Sequence, residues 1–560
     1  MQITASMMNG PSISFATCAL LAATAQVLPS QMPALQGARG KLVTPGSFAD
    51  DSARLESITS PGPVTYSLLR SASTLSQRPR AAAGSLRKAY FLPELYGIDN
   101  SALPYSLNDG WLWAGRGWST QVRAGFEIEV DRVRLVLGPE LLQTDNLGFA
   151  LPPGWVLPPQ PPGRSPFADP WHTTPESIDL PVRFGPTGFT QWDWAQSTLD
   201  IDLGMITAGL STENEWWGPG IKNAIVMSTN AAGIPRLFAR PTRPLVTRAG
   251  TFDFRLFAGG LRESAYFDTS LANNWRSISA LALAWTPRGA PNVTVGFTRA
   301  VYAPVSSWSR IPIRLLDAVI RNPGRPNNHL PGDTAVVPGP DQVFSFFGRW
   351  AFPGAGFEVY TEWARNELPT SLRDFLTAPN HTQGYTLGLQ WAQPTGPLTT
   401  TRVQLETTYL GKSATLRDRP VGTWYTSRAV PQGYTNRGKV IGAAIGPGAS
   451  SQWLAVDYMA PTWQVGVYGF RIRWDGEALY TFPTTNPFGT PNKWCSHDTS
   501  MIFGLRGAVR AIFGLLELSY GVDRRRNVFF DQRSVCGRDM DLRATRDETN
   551  RTIEIRLTPP

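Results

Sequence analysis

Histidine and cysteine are scarce in this 560-residue chain, at four and three copies. His172, His329, His381 and His497 are scattered without metal-ligand spacing, so no structural metal and no cofactor is expected. Charge is also sparse, at 17% of residues. Beyond the N-terminal region no run of 18 or more apolar residues occurs, which excludes a transmembrane helix. Signature motifs of catalysis are missing too: there is no G-x-S-x-G elbow, no P-loop and no H-E-x-x-H. Glu213 and Glu215 share a strand face and could form a glycosidase-like pair. Paired acidic residues on one strand face are ordinary without catalysis, however, and no enzyme is expected.

What the chain has is glycine (52), proline (48) and aromatics (11%), a mix that favours strands and turns. The net charge of +9 is spread along the chain rather than gathered in blocks. It suits an anionic partner without singling out nucleic acid.

Residues 1–25 read as an export signal. Phe15–Ala25 is a short apolar core, Ala23-Thr24-Ala25 is an A-x-A-type cleavage site, and no Lys or Arg precedes it. Cys18 would leave with that signal. Cys495 and Cys536 remain, flanking a hairpin predicted over 500–510 and 512–523, and they are either a staple between two loops or two free thiols. Residues 26–50 read as linker, and 51–70 has weak helical character, with Asp51 or Ser52 as cap. Together, 26–100 is expected to be a linker plus a small, partly helical segment.

Over 101–560 the period is two. Val122, Ala124, Phe126, Ile128 and Val130 alternate with Arg123, Gly125, Glu127 and Glu129. Leu199–Met205, Phe357–Trp363, Val403–Tyr409, Leu516–Val522 and Ile553–Leu557 repeat the pattern. Segments near ten residues, with tryptophans at many ends (Trp111, Trp113, Trp285, Trp350, Trp391, Trp453, Trp463, Trp474), point to an all-β outer-membrane barrel of about 16–18 antiparallel strands. Residues 146–190 interrupt it. Eleven prolines between Pro152 and Pro186 exclude a ladder there and predict an external lid or a luminal plug.

The densest stretch is Glu213–Pro235, ENEWWGPGIKNAIVMSTNAAGIP. Adjacent rings at Trp216 and Trp217 cannot share one strand face. With Glu213, Lys222, Asn223 and Asn230 they make a mix suited to sugars, or else a structural corner turned by Gly218-Pro219-Gly220. This stretch resembles the Wzi family of outer-membrane capsule-assembly proteins. So do Leu107–Gly117 (LNDGWLWAGRG), His381–Trp391 (HTQGYTLGLQW) and Gly433–Gly448 (GYTNRGKVIGAAIGPG). The chain differs in ending Leu557-Thr558-Pro559-Pro560, where many outer-membrane barrels end in an aromatic residue.

The resemblance implies a barrel of about 18 strands with a small periplasmic helical element, which holds capsular polysaccharide at the cell surface as a lectin-like protein. The residues expected to meet an acidic glycan are Glu213, Trp216, Trp217, Lys222, Asn223 and Asn230, then Arg437 and Lys439. The other partners expected are outer-membrane lipid and the barrel-assembly machinery, with no nucleic acid. The alternatives are a passive channel for small solutes and, further off, a glycan-processing enzyme.

Overall fold

The computed structural model describes residues 41–60, 66–76, 86–152, 160–173, 176–271, 273–305, 307–320, 340–367, 371–419, 421–478, 497–530 and 546–560. The expected export signal and the Cys495–Cys536 pair lie outside these.

Strand segments close on themselves into an antiparallel barrel of 18 positions. Leu86–Asn100 is the first position, and it closes the ring against Glu548–Thr558. Two neighbouring positions are each broken in two: Val133–Leu137 with Glu140–Thr144, and Phe189–Asp193 with Thr198–Asp202. The period-two segments are strands, except that Leu199–Met205 ends as a strand at Asp202 and its last three residues form a turn. Their polarity is inside out compared with a water-soluble sheet. Leu199, Ile201, Leu405, Leu454, Val456, Phe503 and Leu505 are exposed on the outer wall, whereas Asp200, Glu358, Glu362, Arg402, Glu406 and Asp457 are buried within. An outer apolar band around a polar interior is what a bilayer requires of a closed sheet.

The connections sort by length. One end has short turns, such as 131–132, 203–205, 353–356, 397–398 and 512–513. The other end has the long ones: 101–116, 145–188, 212–235, 263–274, 305–340, 366–382, 410–449, 475–497 and 527–547. In outer-membrane barrels the short turns are periplasmic and the long loops external.

Helix α1 (Phe48–Thr59) closes the short-turn end from inside. Ser47 caps it, one turn ahead of the expected Asp51 or Ser52, because the Ser47 hydroxyl accepts the Asp50 N–H. Its last turn meets a barrel turn, where Ile58 O accepts the N–H groups of Gly354 and Gly356, each at 3.1 Å. Arg54 and Asp51 anchor it to the wall. Arg54 Nε lies 2.7 Å from Glu358 Oε1, and Arg402 reaches Asp51 Oδ2 at 2.5 Å and Asp457 Oδ2 at 2.9 Å. Charges buried this deeply are tolerable only when paired, so each helix anchor sits on a wall carboxylate or guanidinium.

Two expectations need correction. The barrel starts at Leu86, ahead of residue 101. Pro93 interrupts the alternation there, and the register slips between Phe91 and Glu94, which hides the strand from a period-two reading. The tryptophan girdle holds for Trp285, Trp350, Trp391 and Trp463, which are exposed on the wall. Trp453 shares the inward parity of Ala455 and Asp457 and is buried in the lumen, while Trp111 and Trp113 lie on the loop after the first strand.

Candidate functional site

Residues 212–235 join two neighbouring strands, Ile206–Ser211 and Arg236–Pro241, yet they do not leave the barrel. They fold into the lumen, where nearly every residue from Glu213 to Ile234 is buried. Glu215–Trp217 pairs with Leu69–Ser71 as a two-stranded sheet inside the barrel. The two rings take opposite sides, as alternation demands. Trp217 packs in the main apolar cluster, 5.7 Å from the Phe257 ring. Trp216 lines a luminal cavity, with the Arg70 guanidinium 5.6 Å from its ring.

The tight turn that follows depends on its glycines. Gly218 has φ +100°, and a Cβ on Gly220 would lie 2.0 Å from the Asn223 carbonyl oxygen. The turn exists to present backbone N–H groups to the wall. Glu406 accepts those of Ile221, Lys222 (3.0 Å) and Asn223 (2.9 Å), and Glu362 accepts that of Ile225 at 3.0 Å. Buried carboxylates and buried amides thus satisfy each other.

Residues 410–449 enter the lumen beside this segment. Thr435-Asn436 and Lys439-Val440 form a hairpin turned by Arg437 (φ 51°) and Gly438 (φ 80°). The two segments are laced together. Tyr434 and Tyr425 donate to the carbonyls of Val226 and Ile225, each at 2.8 Å. Asn230 Nδ2 donates to Val440 O at 2.9 Å, and Asn436 Nδ2 to Ala232 O at 3.0 Å. Residues 107–112 complete the knot. Asn108 Nδ2 donates to Lys222 O at 2.9 Å, and Lys439 Nζ donates to the carbonyls of Gly110 (2.9 Å) and Leu112 (3.1 Å). Burial lowers the Lys439 pKa to about 8, against the opposing pull of Asp109. Three stretches far apart in sequence therefore make one plug.

Each expected glycan residue has a place in it. Glu213 accepts from Ser73 N (2.7 Å) and Ser73 Oγ (2.8 Å), and Glu215 pairs with Arg236 at 2.7 Å. Asn223 Nδ2 donates to Ser451 Oγ at 3.2 Å. Lys222 Nζ sits 4.0 Å from the Trp453 ring centroid, and burial and Arg506 lower its pKa to about 8. Arg437 pairs with Asp193. Glu213, Trp216, Trp217 and Asn223 are thus inward-held parts of the plug, and only Asn230 and Lys439 also line a space at the long-loop end.

Two spaces flank the plug. The inner one, about 360 Å³, lies between α1 and the Lys222 turn and is lined by mixed charge, including Arg123, Arg402, Arg506, Arg556, Glu517 and Glu554. The outer one, about 240 Å³, is largely apolar. Half-buried Trp113, Phe149, Trp474 and Phe529 wall it over a base that includes buried Trp171 and Phe530. Tyr105 and Leu107 line both spaces, so the 103–107 segment separates them. The described parts of the proline-rich insertion, 160–173 and 176–188, lie over the plug as a lid, with Ile178 packed in the same apolar cluster as Trp217 and Ile225. Ser177 bridges to Ser427, and Asp179 accepts from Ser264 N (2.7 Å) and Oγ (2.6 Å). Sequence reading missed the outer cleft because its rings come from three separate loops and one strand end, Trp474. Its one local signal is Phe529-Phe530 directly after a strand end. Among the described residues no group of three or more His, Cys, Asp or Glu is placed to hold a metal ion.

No known protein-family model and no curated protein sequence matches the chain. Solved structures do. Wzi of Escherichia coli, described as an outer-membrane protein involved in group 1 capsule assembly and a carbohydrate-binding β-barrel, superposes with a TM-score of 0.51 over 83% of this chain and 84% of that one, at 10% identity. OccK5 (OpdH) of Pseudomonas aeruginosa aligns at 8% identity over 84% of this chain and 97% of that one, with a TM-score of 0.37. A BenF-like porin of Pseudomonas fluorescens Pf-5 aligns at 7% identity over 85% and 99%, with a TM-score of 0.36. The chain has the fold of an outer-membrane β-barrel of the Wzi kind.

Proposed function

We propose that the protein holds an acidic surface polysaccharide at the outer face of the outer membrane, as a binding barrel rather than a conducting one. The observation that carries this reading is the plug. Three loops and a helix occupy the lumen and are fastened to wall charges such as Glu358, Arg402 and Glu406, in space that a channel needs open. Glu213 and Glu215 are each engaged with plug or wall partners, which removes the motive for a hydrolase. The carbohydrate-binding description of the Wzi barrel supports the ligand class. The net charge of +9 supports its sign.

In this reading Lys439 and Asn230 lie nearest the polymer, Arg437 stands at the rim, and Glu213, Trp216, Trp217, Lys222 and Asn223 act by holding the plug in shape. The test is the partition of surface polysaccharide in a strain lacking the protein. Unchanged total with a smaller cell-bound fraction supports anchoring. Unchanged partition, together with single-channel conductance of the purified barrel in planar bilayers, supports the passive channel instead.

A further inference from the structure

Among the described residues, seven aromatic side chains line the outer cleft, and its surface is largely apolar. Trp113, Phe149, Trp474 and Phe529 are half-buried there. Phe184 stacks on one face of Trp113 at 4.4 Å, and Arg525 stands 5.4 Å from the Trp474 and Phe529 rings, so a ligand would use the opposite faces. Its volume of about 240 Å³ admits one six-membered ring, since a cavity of about 150 Å³ already holds benzene.

The charges beside these rings are already spent on one another. Asp498 takes Arg525 in a two-point pair at 2.7 and 2.6 Å. Asp475 Oδ2 meets His172 Nε2 at 2.9 Å. Asp169 accepts the N–H groups of Trp171 (3.1 Å) and His172 (2.6 Å), and the Lys439 ammonium is held by two carbonyls. A ligand entering here finds apolar faces and no uncompensated charge. One acceptor is left over: Asp475 Oδ1 is buried in the wall with no hydrogen-bond partner among the described residues. A carboxylate oxygen accepts a hydroxyl and repels a uronate.

The backbone adds a third observation. Asp475 (φ 33°), Phe529 (φ 57°) and Phe530 (φ 54°) all line the cleft in the left-handed region, which side chains of this size rarely adopt. Strain of this kind persists where the surroundings over-determine it, and it gathers at binding sites.

We propose that the outer cleft is a subsite for one uncharged pyranose ring of the polysaccharide, stacked by its apolar face on the aromatic walls. This rests on the anchoring reading above and narrows it: the acidic units of the polymer lie outside this cleft, and a neutral unit fills it.

The experiment uses the full-length barrel in detergent. Short oligosaccharides are made by partial hydrolysis of the producing strain's surface polysaccharide and split by anion exchange into neutral and acidic pools. Binding is read by tryptophan quenching and equilibrium dialysis. The neutral pool is expected to bind, Phe149→Ala and Trp474→Ala to weaken it at least tenfold, and Trp474→Phe to restore it. Retained heat-modifiability in electrophoresis shows that each variant is a closed barrel. The proposal is overturned if the Phe149→Ala and Trp474→Ala variants bind the neutral pool like the parent, or if the acidic pool competes for it fully. Intact polymer is tested in parallel. A parent that retains polymer while the alanine variants are unaffected loses the cleft but keeps anchoring. A parent that retains none loses anchoring.

Discussion

Glu406, on the inner wall, accepts the backbone N–H of Lys222 at 3.0 Å, and the N–H groups on either side of it as well. Replacing Glu406 with Ala leaves four donors without this partner, the three amides and the Tyr360 hydroxyl, at about 1–3 kcal/mol each as an upper bound. The barrel itself keeps its ladder hydrogen bonds. Glu406→Ala is therefore expected to remain heat-modifiable while gaining single-channel conductance, and Glu406→Gln to show a smaller gain. Silence in planar bilayers from both would mean that the plug does not depend on this anchor.

The Gly220 position has no room for a side chain, because a Cβ would sit 2.0 Å from the Asn223 carbonyl oxygen. Gly220→Ala is expected to displace the turn and behave like Glu406→Ala, with a lower yield of folded barrel. Gly204→Ala is the comparison, at a periplasmic-side turn where no atom lies within 4 Å of the new Cβ. Its φ of +99° makes that change cost about 1 kcal/mol through the backbone alone.

Leu405 and Gln404 are adjacent, with Leu405 on the lipid side and Gln404 inside, donating to Gln390 Oε1 at 2.7 Å. Leu405→Arg is expected to cost about 2–4 kcal/mol if it sits near the bilayer midplane. Gln404→Leu removes two luminal hydrogen bonds, one donated to Gln390 and one accepted from Arg506, worth about 1 kcal/mol each. Equilibrium refolding into lipid vesicles measures both, and a reversed order would invert the assigned faces.

Burial alone would lower the pKa of His172, but Asp475, Asp169 and Glu176 outweigh it and raise it from 6.5 to about 9. The folded state thus holds this proton more tightly than the unfolded chain. The resulting stabilisation, roughly 3 kcal/mol at most, is complete below pH 6.5 and is lost as pH rises through 9. The 160–188 lid should be cleaved faster at pH 10 than at pH 7, relative to a denatured control. His172→Gln should cut equally fast at both.

Much of the wall was legible because side-chain alternation is local. Five residues such as Val403–Thr407 suffice to assign two faces, and the 18 positions fall at the upper end of the span-length expectation. Leu86–Asn100 escaped because Pro93 breaks the period, and Trp453 escaped because its ring resembles a girdle until parity is counted from Asp457. The densest motif was found, but its surroundings were not. Nothing near Trp216 and Trp217 in sequence says that their neighbours are Arg70 and Phe257. The same holds for the cleft, where Phe149 and Phe529 stack at 6.4 Å from loops on opposite sides of the chain's closure. Pairings across hundreds of residues leave no periodic trace.

The plug segment is synthesised between strands that pair early in the sequence, yet the carboxylates that receive it belong to strands some 140 to 190 residues later. Helix α1 waits longer still, since Arg54 meets Glu358. During biogenesis the amides of residues 221–225 consequently have no docking partners until more than half of the wall exists. Contacts of such high sequence separation form slowly, and exposed apolar segments aggregate meanwhile. Completion of the interior is therefore a late, order-dependent event, and a truncated C-terminal half would leave an N-terminal half with nowhere to put its own centre.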